Sequence, residues 1–294
     1  MKKVTLAIVL ALALVLSTMG VASAITNGQP DGNNHPYVGL VVALDINHVP
    51  LWRCSGTLIS PTLFLTAGHC TEAPAAHAVI WFSSGYPTPI ARGNLPAVPG
   101  TPCTGYTGDP CTGDAAGTPY SHPDFCTGCG PGLPSFASHD VGVVVLDAAV
   151  PTWVVSSYGQ LPTEGIVDTL KNKTAIDFVG YGVMAQLQIP GNQLPQPPPF
   201  YRWAGFRTRM YAPTELVSGE FVQSDEFMRL ALNPGGGSGG TCFGDSGGPD
   251  LLGGTSMVVA VNSYVTNVNC AGVGYSARVD NSDNLSWITS FLGP

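Results

Sequence analysis

Short apolar runs separated by turn-forming residues dominate the chain from about residue 36 onward. Pro36 to Leu44, Leu58 to Thr66, Val141 to Asp147, Thr174 to Tyr181 and Ser256 to Val265 stand out. Runs of this length and content between turn signals read as β-strands. One segment follows a different period. Leu285, Ile288, Phe291 and Leu292 recur at helical spacing near the C-terminus, with Ser282 or Asp283 placed to cap the start. The pattern predicts an all-β protein that ends in one helix.

The first 24 residues obey another rule. Lys2 and Lys3 precede an apolar run from Val4 to Leu16, and Ala22-Ser23-Ala24 closes the stretch with the small-x-small pattern of a signal-peptidase site. The apolar run is shorter than the roughly 20 residues that span a bilayer. Residues 1–24 are therefore expected to be a signal peptide, and the mature protein to be secreted, extracellular and not membrane-bound. What remains is long enough for a large core in one or two lobes. A lobe boundary is expected near Pro151 and Ser156-Ser157, dividing residues 25–155 from 156–294.

Charge narrows the range of partners. Lys2 and Lys3 leave with the signal, so 9 basic residues face 19 acidic ones, a formal balance of −10. That argues against nucleic acid and against anionic membrane surfaces. Charged residues are only 10% of the chain, while Gly (37) and Pro (26) are abundant, which favours turns over long helices. Two stretches look inserted: residues 97–134, rich in Gly, Pro, Thr and Cys, and residues 185–200, which carry the run Pro195-Gln196-Pro197-Pro198-Pro199 and are expected to be extended and exposed.

All eight cysteines (54, 70, 103, 111, 126, 129, 242 and 270) follow the expected cleavage point. An even number in an exported chain reads as disulfides. The single CxxC at Cys126–Cys129 lacks a second CxxC or a spaced His pair, so it is a poor zinc signature. Asp109, Asp114 and Asp124 lack an EF-hand pattern and read as solvated loop charges. No metal and no cofactor is expected. Asn172-Lys173-Thr174 and Asn284-Leu285-Ser286 match the glycosylation sequon.

Three segments carry candidate chemistry. Cys242-Phe243-Gly244-Asp245-Ser246-Gly247-Gly248-Pro249 flanks a hydroxyl with glycines, which let main-chain N–H groups converge on one point. Leu65-Thr66-Ala67-Gly68-His69-Cys70 sets an imidazole after an apolar strand. Ser138-His139-Asp140-Val141-Gly142-Val143-Val144-Val145-Leu146 sets a carboxylate at the mouth of a strand apolar enough to be buried. A hydroxyl, a base and a group to orient the base are the parts of nucleophilic catalysis. Gly244 to Gly248 also fits G-x-S-x-G, but that α/β-hydrolase motif needs its His after the Ser, and all six histidines (35, 48, 69, 77, 122 and 139) precede it. Gly254-Thr255-Ser256-Met257 is similar to the subtilisin-like nucleophile motif, which starts a helix. Here Val258-Val259-Ala260-Val261 continues as a strand.

In content and chain order the three segments resemble the His, Asp and Ser motifs of the chymotrypsin-like (trypsin-like) secreted serine proteases, with Gly68 where that family more usually has Ala. The resemblance implies two antiparallel six-stranded β-barrels, with His69 as general base, Asp140 as its orienting carboxylate and Ser246 as nucleophile. It implies an oxyanion hole from the N–H groups of Gly244 and Ser246, and a hydrogen bond from Ser263 to Asp140. It implies pairs Cys54–Cys70 and Cys242–Cys270, and leaves three possible pairings for Cys103, Cys111, Cys126 and Cys129. Ile25-Thr26-Asn27-Gly28 resembles the family's mature N-terminus, whose ammonium pairs with the Asp before the nucleophile, here Asp245. With no propeptide after the signal, signal removal itself is expected to yield the active form.

The same resemblance places the base of the primary pocket at Gly240-Thr241 and its far wall at Ser263-Tyr264-Val265, with Val273 nearby. No carboxylate falls at that base, so a preference for Arg or Lys is not expected, since a buried cation would lack its partner. Neutral residues, small aliphatic or aromatic, are expected instead. The resulting expectation is a monomeric serine endopeptidase acting on proteins or peptides through an acyl-enzyme. The alternatives are a catalytically silent secreted binding protein on the same scaffold, or an esterase using the same groups.

Overall fold

The computed structural model describes residue 25 and residues 28–86, 90, 113–129, 137–182, 185–188, 201–204, 207–218, 225–232, 239–267 and 270–293. The signal segment, most of the 97–134 insertion with Cys103 and Cys111, and the proline run 195–199 lie outside the described residues.

Strand β1 (Gln29–Pro30) is followed by β2 (Val38–Leu44), β3 (Pro50–Ser60) and β4 (Leu63–Thr66), the four-residue helix α1 (Gly68–Thr71), and β5 (His77–Trp81). Then come β6 (Ala115–Ser121), the two-residue strands β7 (Cys126–Thr127) and β8 (Ala137–Ser138), and β9 (Gly142–Leu146). Strands β2, β3, β4, β9, β6 and β5 close into one antiparallel barrel in that order. Every residue of β2 is buried, because its two edges pair with β3 and β5 and its faces meet the core. The apolar run Leu58 to Thr66 does not form one strand. The chain turns at Pro61-Thr62, so that Leu58 pairs with Phe64 and Ser60 with Leu63. Proline supplies no N–H to a ladder and pre-sets a turn.

The second half supplies β10 (Ala175–Gly180), the hairpin β11 (Ala185–Gln188) and β12 (Tyr201–Ala204), β13 (Met210–Ser218), β14 (Phe227–Leu232), β15 (Pro249–Leu252), β16 (Val258–Val265) and β17 (Gly272–Arg278). The order β13-β10-β15-β16-β17-β14 closes through β13–β14 into a second six-stranded barrel, with β1 added at the edge of β13. Closure removes the free edges that a flat sheet would expose. Helix α2 (Ser282–Thr289) ends the fold. Its cap is Asn281, one residue before the expected Ser282 or Asp283. Asn281 is extended, and its side chain accepts from the Asn284 N–H.

The described interior holds one core centred on the first barrel (Leu40, Phe64, Ile80, Val143) and a second lined by Ile176, Phe178, Met210, Met228 and Val259. Ile25 is fully buried in the second. Arg209 is also fully buried. Its guanidinium pairs with Asp31 at 2.8 Å and donates to the Val38 and Phe82 carbonyls and to Asn33. Among the described residues no helix is long and apolar enough to cross a membrane.

Candidate active site

Helix α1 follows β4 directly and carries His69 to the end of the first barrel. Asp140 sits just before β9, which pairs with β4 through Thr66 and Gly142. That pairing brings the two segments together. The His69 main-chain N–H donates to Asp140 Oδ1 at 2.8 Å, and its ring Nδ1 lies 2.9 Å from Oδ2. The Ser263 hydroxyl, reaching from β16 in the second barrel, donates a short hydrogen bond to the same Oδ2. Burial alone would raise the Asp140 carboxyl, but the adjacent His69 and these donors hold it below the usual carboxylate range. Burial would lower His69, and Asp140 outweighs it, so the imidazole is more basic than usual. With Nδ1 engaged by Asp140, Nε2 is the other ring nitrogen able to give or take a proton.

Gly68 has a local cause. A Cβ there would lie 2.8 Å from the Phe125 ring and 3.2 Å from Asp140 Oδ1. Phe125 belongs to the cysteine-rich insertion, so the insertion packs directly behind the His69 segment.

Ser246 lies on a tight loop between Cys242 and β15. Ser55 of β3 pins that loop to the first barrel. Its N–H donates to the Ser246 carbonyl at 2.8 Å, and its hydroxyl to the Gly244 carbonyl at 2.9 Å. Gly244 (φ +95) and Gly247 (φ +74) adopt left-handed backbone, which only glycine takes readily. At Gly247 a Cβ would also collide with Thr66 and Ala67. The N–H groups of Asp245, Gly247 and Gly248 donate to the carbonyls of Cys242, Asn262 and Asp245. Those of Gly244 and Ser246 enter no hydrogen bond among the described residues.

Asp245 is fully buried. Its carboxylate accepts from the N–H groups of Gly182 (2.8 Å) and Cys242 (3.0 Å). Burial outweighs these bonds and the more distant charge of Arg53, and the carboxyl is pushed up to about 7.

His69, Asp140, Thr241, Ser246, Ser263, Tyr264 and Val265 line one cavity of about 320 Å³. His69 and Ser246 face it together, with no direct hydrogen bond between them. Gly240 and Val273 are not among its lining residues. Four others are lining residues that sequence reasoning missed: Phe243, Asn262, Thr127 and Ala137. Phe243 sits inside the Ser246 motif and was legible there. Thr127 and Ala137 reach the cavity because β7 and β8 pair across the insertion, and no sequence signal announced that.

Among the described residues three disulfides are present: Cys54–Cys70, Cys126–Cys129 and Cys242–Cys270. The CxxC is therefore a disulfide and not a metal site. Cys54, His69 and Cys70 also cluster, but both sulfurs are consumed in a disulfide and cannot act as thiolate ligands.

No family model matches the sequence, and no curated protein matches it either. Solved structures do match in shape. HL collagenase superposes with a TM-score of 0.62 at 18% identity, covering 92% of this chain and 99% of that one. Human heparin binding protein gives 0.55 at 15% identity, covering 92% and 98%. The VesB protease of Vibrio cholerae gives 0.56 at 15% identity, covering 92% and 68%. At such identities the likeness concerns shape alone, and the chain has the two-barrel chymotrypsin fold.

Proposed function

We propose that this protein is a secreted serine endopeptidase in which Ser246 is the nucleophile, His69 the general base and Asp140 the group that orients it. The observation that carries the reading is the company Ser246 keeps. It shares a cavity with a His69 already fixed by Asp140, beside two N–H groups with no hydrogen-bond partner among the described residues. Ser246 Oγ attacks the scissile carbonyl while His69 Nε2 takes its proton, and the N–H groups of Gly244 and Ser246 receive the oxyanion. His69 then returns the proton to the departing amine, leaving an acyl-enzyme that water cleaves by the same steps.

The primary pocket is read as selecting neutral or apolar side chains. Thr241 is taken as its base and Tyr264 and Val265 as its far wall, and among the described lining residues the one carboxylate, Asp140, is committed to His69 and Ser263. The substrates are taken to be proteins or peptides, in keeping with structural neighbours named as a collagenase and a protease. The disulfides fit an oxidising, extracellular setting. The secreted protein is expected to form a covalent adduct with a fluorophosphonate, and the Ser246→Ala variant none.

A second reading, a silent binding protein on this scaffold, draws support from the neighbour named for heparin binding. The 9 basic against 19 acidic residues expected once Lys2 and Lys3 leave with the signal oppose a polyanionic ligand here. An unlabelled wild-type Ser246 would favour this reading over the first.

A further inference from the structure

The residue before Asp140 is held in an unfavourable conformation by groups from distant parts of the chain. His139 has φ +46, a left-handed backbone that side chains with a Cβ adopt at a cost and keep only when their surroundings enforce it. The Val141 N–H donates to the His139 carbonyl at 2.7 Å, closing a three-residue turn centred on Asp140. On either side of that reversal the Asp140 carboxylate meets His69 and the His139 ring meets His122 and Asn284.

Two groups hold that ring and its main chain. Glu226, at the start of β14, accepts from the His139 main-chain N–H through Oε2 at 2.8 Å, and its Oε1 lies 3.3 Å from ring Nε2. Asn284, inside α2, places Oδ1 3.1 Å from ring Nδ1. The Asn284 amide is oriented by its own Nδ2, which donates to the Arg278 carbonyl at 2.7 Å. Both ring nitrogens therefore face oxygen atoms of these two side chains. His122 stacks on the same ring at 4.6 Å and is backed edge-on by Trp287. Burial first, and the neighbouring His139 next, hold His122 below its usual basicity.

We propose that Glu226, with Asn284, acts as a positioning latch. It grips His139 from the second barrel and the C-terminal helix and so fixes the rotation of Asp140 against His69. The catalytic consequence rests on the serine-protease reading above. The geometric claim, that the His69–Asp140 hydrogen bond depends on Glu226, does not.

The test uses the full mature protein and three variants: Glu226→Ala, Glu226→Gln and Asn284→Ala. Each is followed by peptide kinetics, thermal midpoint and the downfield proton resonance of the His69–Asp140 hydrogen bond. Glu226→Ala is expected to shift or broaden that resonance and to lower kcat by about ten- to a hundredfold, the scale of small misplacements of catalytic groups, with KM within about twofold. Glu226→Gln, which keeps an oxygen for the His139 N–H, is expected to recover part of both effects. An unchanged resonance and kcat in a folded Glu226→Ala protein overturns the latch. So does a loss of activity that tracks the thermal midpoint alone. If Glu226→Ala does not fold, unchanged resonance and kcat in both Glu226→Gln and Asn284→Ala overturn it. If the wild type shows no Ser246 adduct, the protease reading fails and the resonance alone decides the latch.

Discussion

Extending the mature N-terminus upstream of Ile25 is expected to make stability fall with pH in a way that the chain beginning at Ile25 does not. Asp245 is fully buried with two main-chain donors and a carboxyl pushed up to about 7. An unfolded Asp titrates near about 3.9. Between about pH 4 and 7 the unfolded chain has lost this proton while the native chain keeps it, so stability declines through that window. The difference of about 3 pH units corresponds to an order of 4 kcal/mol. Ile25 is taken as the residue whose freed ammonium removes that penalty. It lies in the same core as Met210, the strand partner of Gly180, and Gly180 abuts the Asp245 carboxylate. An ammonium group freed at Ile25 and brought to Asp245 keeps the carboxylate ionised and abolishes the decline. The assay is denaturant unfolding from pH 4 to 8 of two proteins, one starting at Ile25 and one at Ser23, with Asp245→Asn in each. The Ser23 form is expected to lose up to about 4 kcal/mol across that range, and Asp245→Asn to flatten its curve. Any other titrating group is common to both forms and cancels in the comparison. Superimposable pH curves for the two starts would refute the pairing of Ile25 with Asp245.

Three more outcomes follow from the packing. Asp250 on β15 is fully buried, burial pushes its carboxyl well up, and its neighbours Ser276 and Asn262 reach neither oxygen with good hydrogen-bond geometry. Asp250→Leu is accordingly expected to stabilise the protein by about 1–3 kcal/mol at pH 8, and a lowered denaturation midpoint would mean the carboxyl has a partner. Asp31→Ala strands the buried Arg209 guanidinium and is expected to cost about 3–5 kcal/mol, measured by the same unfolding curves; a loss below about 1 kcal/mol would place the pair among weak surface bridges. Gly68→Ala presses a methyl group against Phe125 and is expected to cost about 1–3 kcal/mol. Phe125→Ala in the same chain is expected to restore most of that loss, and additive effects of the two changes would show that they do not touch.

The strands were legible because each carries its own record. A buried strand such as Val38–Leu44 is apolar along its whole length, and turn residues bound it. The three motif segments were legible because glycine on both sides of Ser246 and an apolar strand beside Asp140 are local features. The turn at Pro61-Thr62 was hidden inside a continuous apolar run, since a tight hairpin needs few residues and Leu63 to Thr66 continue the same composition. The helix cap moved to Asn281 because several neighbouring residues are chemically able to cap, and only backbone direction chooses among them.

By itself the sequence determined an all-β chain, its cysteine content and three chemically apt segments in a fixed order. Those properties depend on composition and on residues near one another along the chain. Tertiary structure decided which distant groups meet: Ser263 with Asp140, Ser55 with the Ser246 loop, Phe125 in the space a Cβ at Gly68 would need, and Glu226 with His139. These pairs are separated by 57 to 191 positions or share no pattern that periodicity can register. Barrel closure fixes strand register and therefore which side chains face inward at the same level, and the packing of the two barrels and their loops against each other brings these groups within reach.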